Sequence, residues 1–79
     1  MERSKELITL FVDFQNADTE GRIRLTTVGT LRDLKANYVA LKAGMKFLLD
    51  DGEDLKTIGT VEFSENENIW AARIDWDDL

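Results

Sequence analysis

Apolar residues in this chain recur mainly at every second position, in short bursts separated by polar turns. A segment with that period buries one face only as a β-strand, and only with other strands beside it. Residues 6–14 put Ile8, Leu10, Val12 and Phe14 on one face and Leu7, Thr9, Phe11 and Asp13 on the other. After a turn-forming loop over residues 16–21, residues 22–28 turn Ile23 and Leu25 inward and Arg22 and Arg24 outward. These two segments are predicted to pair as an antiparallel hairpin. Met45, Phe47 and Leu49 mark a third strand. Residues 58–63 give a fourth, with Val61 and Phe63 inward and Glu62 outward, and Gly59 within it suggests a bulge or bend. Beyond a polar turn at residues 64–68, residues 69–76 form a fifth strand. Its Trp70, Ala72, Ile74 and Trp76 share one face, with Arg73 and Asp75 on the other.

One stretch breaks the period. Leu31, Leu34, Tyr38 and Leu41 recur at helical spacing, and Thr30-Leu31-Arg32-Asp33 has the form of a capping box. Gly44 could close this helix in a left-handed conformation, whereas alternation at residues 38–41 would end it near Asn37. The order is β-β-α-β-β-β, mainly β with one short helix. It predicts a small curled antiparallel sheet or an SH3-like partly closed barrel; the alternative is an α+β arrangement with helix 31–43 packed on a five-stranded sheet. The rhythm from Leu41 through Gly59 to Trp70 is similar to that of SH3-type small barrels. That likeness concerns fold alone, and such folds carry many unrelated functions.

Residues 1–79 make one small globular domain, and a core of this size gives marginal stability. The two-sided first strand makes a homodimer a reasonable expectation, because Leu7 and Phe11 must meet the helix, another strand or a second subunit. The chain has no Cys, His or Pro. Disulfides, thiolate or imidazole metal sites and His-based triads are thereby excluded. The five glycines form neither a phosphate-binding loop nor a dinucleotide fingerprint. No cofactor is expected, and the chain reads as a non-enzyme. The charged residues 1–6 lead into no apolar run of signal-peptide length, and no membrane partner is expected, so the expected location is cytoplasmic.

The formal charge of −6 conceals strong segregation. Residues 1–20 carry −3, residues 21–49 carry +5 and residues 50–79 carry −8. An acidic second half suggests a protein partner, with Glu62, Glu65, Glu67, Asp75, Asp77 and Asp78 steering it and Trp76 or Ile69 as anchor. The alternative is a nucleic-acid-binding barrel using Arg22, Arg24, Arg32, Lys35, Lys42 and Lys46 within segment 22–46. Against it stand the net charge, the lack of outward aromatics among these cations and the prospect that they pair with the chain's own carboxylates. Asp50, Asp51, Glu53 and Asp54 offer the oxygen ligands Ca²⁺ takes, but their spacing does not fit a twelve-residue EF-hand loop. A solvated Asp-Gly turn accounts for them.

Overall fold

The computed structural model describes residues 7–79. The charged residues 1–6, with the first residue of the 6–14 segment, lie outside them. In chain order come β1 (Thr9–Phe11), β2 (Ile23–Arg24), α1 (Val28–Ala36), β3 (Lys46–Asp50), β4 (Lys56–Ser64) and β5 (Ile69–Arg73), then a 3-10 turn at Trp76–Asp78. The strands make one sheet, ordered β1-β3-β4-β5-β2 and curled into a half-barrel. Its concave face buries Leu10, Val12, Ile23, Leu25, Phe47, Leu49, Val61, Ala72 and Ile74, joined by Phe14 and by Leu34 of α1. No helix among the described residues is long and apolar enough to cross a membrane.

The expected β1–β2 hairpin does not form. β1 pairs in parallel with β3, Leu10 opposite Leu49, while β2 pairs antiparallel with β5 at the far side of the sheet. The sheet is therefore mixed rather than antiparallel. Beyond β1 the chain crosses to the opposite edge, where Arg24 N–H donates to the Asn16 carbonyl and Asp18 N–H to that of Arg22, both at 2.9 Å. One continuous segment thus lines both edges, which curls the sheet and leaves few unpaired strand groups.

Helix α1 starts earlier than the capping box implies. Thr27 is its N-cap, accepting from Thr30 N–H at 3.3 Å. Thr30 and Asp33 serve β1 instead: the Thr30 hydroxyl donates to the Phe11 carbonyl, and Phe11 N–H donates to Asp33 Oδ2 at 2.8 Å. Phe11 meets α1 directly, since a Cβ on Gly29 would run into its ring. The helix ends at Ala36, so it does not extend over 31–43, and Gly44 does not close it. Instead Gly44, at φ +95°, turns the chain into β3 and donates its N–H to the Val61 carbonyl at 2.9 Å.

Three further expectations change in β4 and β5. Gly59 sits in regular register opposite Phe47, without a bulge. It is glycine because a Cβ there would lie 2.6 Å from Leu49 Cδ1 and 3.1 Å from Ala72 Cβ. Phe63 keeps phase with Val61 but lies at the rim of the curl, 40% exposed, where its ring meets Trp70 edge-on at 5.0 Å. Trp76 is not in β5, which stops at Arg73; it lies in the 3-10 turn, and its indole N–H donates to the Gly21 carbonyl at 2.8 Å.

Candidate functional site

The outer face of the sheet shows which charges cancel. Arg24 projects there from β2, with Arg22 just before that strand, Arg73 from β5 and Glu62 from β4, as strand alternation dictates. Arg22 is buried among carboxylates: Nε lies 2.9 Å from Asp18 Oδ2, Nη1 3.3 Å from Glu62 and Nη2 3.5 Å from Glu20. Arg73 bridges Glu62 at 2.8 Å and Glu20 at 3.2 Å. Arg24 grips Glu67 with two bonds, at 2.7 and 2.8 Å, and ties down the Ala17 carbonyl at 2.9 Å. Hydrogen bonding from Arg73, and then from Arg22, holds Glu62 below the usual carboxylate range; Arg24 does the same for Glu67. Burial opposes ionisation of Asp18, yet the backbone N–H groups of Arg22 and Glu20 and the Arg22 guanidinium outweigh it and lower its pKa.

Most of the other carboxylates among the described residues gather at the end of the molecule where β4 begins, whereas Glu65 lies beyond the other end of that strand. Asp13, Asp51 and Glu53 line a cleft of about 290 Å³ with Phe11, Phe14 and Leu55. Asp78 reaches the same end, its Oδ2 lying 3.5 Å from the Thr57 hydroxyl. Asp77 and Asp75 adjoin it, with Trp76 between them 45% exposed. None of these carboxylates forms an ion pair with a described residue. The acidic loop is folded onto its own backbone: Asp50 accepts from Gly52 N–H, and Asp51 from Glu53 and Leu55 N–H. The Glu53 N–H bond is the main cause that lowers the Asp51 pKa. Among the described residues no cluster of carboxylates is arranged to hold a metal ion.

Toward the other end of β4, a strand of nine residues, α1 and the following chain lean over the open mouth of the curl. Leu25, Leu31, Leu34, Val39, Leu41 and Trp70 line an apolar groove of about 380 Å³ there, with Ile69 and Thr26. Sequence reasoning did not single out this groove. The helical stripe of Leu31 and Leu34 was its signal, but a stripe does not reveal that half of it stays uncovered.

The candidate residues are thus divided among three places. Glu62 and Glu67 hold arginines, Glu65 lies in the turn after β4, and Asp75, Trp76, Asp77 and Asp78 form part of the acidic end. The six cations form no single strip. Arg22 and Arg24 are engaged on the outer face, Arg32 and Lys35 lie exposed on α1, Lys42 follows it, and Lys46 donates to the Thr60 hydroxyl at 2.9 Å. The chain matches no protein-family model, no curated protein and no solved structure.

Proposed function

We propose that the protein is a non-enzymatic interaction domain that meets a basic protein partner through its acidic end. The observation carrying this reading is the unequal cancellation of charge: Asp18, Glu20, Glu62 and Glu67 are matched by Arg22, Arg24 and Arg73. Asp13, Asp51, Glu53, Asp75, Asp77 and Asp78 have no such partner among the described residues. Desolvating unpaired carboxylates beside Trp76 favours a surface that brings cations of its own, with the indole as apolar anchor. Long-range attraction then speeds encounter more than it tightens the final complex.

Glu53 and Asp77 are suited to test this, because neither side chain bonds to another described residue. Glu53→Lys with Asp77→Lys is expected to slow association with the partner, identified by mass spectrometry after native purification, by about tenfold at low salt. Glu65→Lys at the far end should change it little. Equal association rates for the wild type and the double variant would overturn the reading.

A further inference from the structure

We infer that the apolar groove beside α1 receives residues 76–79 of a second copy of this chain, joining molecules head to tail. The inference rests on the acidic end being a contact surface and names one occupant for the opposite end.

The first support is a residue that folding alone does not favour. The α1 terminus is a complete Schellman turn: Val39 N–H donates to the Leu34 carbonyl at 2.9 Å and Tyr38 N–H to that of Lys35 at 3.1 Å. The position that closes such a turn is left-handed and ordinarily glycine or asparagine. Here it is Tyr38, at φ 56°, with its side chain 96% exposed. A bulky aromatic held in that conformation and turned to solvent contributes nothing to the core. It immediately precedes Val39, which lines the groove, and so offers an exposed aromatic next in the chain to that surface, of the kind found at hot spots.

The second support is charge. Arg32 and Lys35 flank Leu31 and Leu34 on α1, and Lys42 follows Leu41; all three are exposed and form no ion pair with a described residue. The groove therefore calls for an apolar segment carrying carboxylates. Residues 75–79 have that chemistry: Trp76 is 45% and Leu79 39% exposed, interleaved with Asp75, Asp77 and Asp78. The bond from the Trp76 indole to the Gly21 carbonyl fixes the ring in advance, so less side-chain freedom is lost on docking. Because the two surfaces lie at opposite ends of β4, a molecule cannot fill its own groove. The contact is heterologous, a different patch on each side.

Such a contact has a complementation signature. By sedimentation at low salt the apparent mass of the wild type should rise with concentration to at least about twice that of the monomer, and fall back as salt screens the charges. Leu31→Glu destroys the groove and Trp76→Ala the knob, so each variant alone should remain monomeric. Mixed, they should form a one-to-one pair, because each retains the half the other lacks. Tyr38→Gly should weaken association by about tenfold without lowering the melting temperature. A peptide of residues 74–79 should shift the Trp70 indole resonance in the wild type but not in Leu31→Glu. A wild type monomeric at all concentrations, or variants that do not pair when mixed, would overturn the inference. Capture of a basic partner by that same monomer would leave the proposed function standing, whereas loss of both would remove the acidic end as a contact surface.

Discussion

Tyr38, Gly59 and Arg22 are each explained by what surrounds them. At φ 56° a tyrosine suffers the left-handed penalty that glycine escapes, of about 1 kcal/mol. Tyr38→Gly is therefore expected to stabilise the fold by up to about 1 kcal/mol in chemical denaturation, despite the added freedom of the unfolded chain. Gly59 is the opposite case. Leu49 and Ala72 fill the space a side chain would take, so Gly59→Ala should cost about 2 kcal/mol through overpacking, measured as a lower denaturation midpoint at unchanged slope. The sequence reveals that Gly59 lacks a side chain but not what fills the space, which is why a bulge was the natural expectation. Arg22 was legible as outward-facing, and it is. Its burial was not legible, because Asp18 and Glu20 come from the preceding loop while Glu62 lies forty residues away.

Among the elements, period-two alternation identified the strands and most of their inward residues, because the rule is local: each pleat turns the next side chain over. Pairing is not local. β1 joins β3 across more than thirty residues, and nothing in residues 6–14 distinguishes that partner from the nearer β2. A hairpin would also have left β1 with a different free edge. In the actual fold that edge is blocked by α1, whose Thr30 hydroxyl and Asp33 carboxylate satisfy the Phe11 carbonyl and N–H. Those two residues look like a capping box because the same groups that cap a helix can also cap a strand edge. Thr30 is fully buried, so Thr30→Val keeps its shape while leaving the Phe11 carbonyl unpaired. A loss of about 1–2 kcal/mol is expected. Faster hydrogen exchange at the Phe11 amide should accompany it, since α1 holds the edge less firmly. Thr27→Ala removes the N-cap and also the 2.7 Å bond between the Thr27 and Thr30 hydroxyls, but leaves both bonds to Phe11 in place, so it should cost about 1 kcal/mol and expose the Phe11 amide less than Thr30→Val does.

For the whole molecule, the charge of −6 was the clearest sequence signal and the least complete. Segregation into blocks is legible by counting. Which blocks cancel depends on the sheet order, since β2 must lie beside β5 before Arg24 can reach Glu67. The fold neutralises the arginines of β2 and β5 and leaves the carboxylates around the start of β4 unmatched by described cations. The matched carboxylates make stability depend on pH in a definite direction. Asp18, Glu62 and Glu67 have pKa values below their ordinary 3.8, 4.5 and 4.5 in the folded chain. As pH falls through the ordinary range, the unfolded chain takes up protons before the folded one does, so the unfolded state is favoured. Their contribution is complete above about pH 5 and is lost as pH drops through the ordinary values toward the depressed ones. Thermal melts from pH 7 to pH 2.5 should therefore show a plateau followed by a fall beginning near pH 5. Glu62→Gln removes the carboxylate shared by Arg22 and Arg73, so it should lower the plateau and make the fall shallower. Glu65→Gln, at a carboxylate with no described partner, should follow the wild-type curve. If Glu62→Gln and wild type fall with the same slope, the network does not govern acid unfolding, and the matching of β2 with β5 carries less of the stability than its geometry implies.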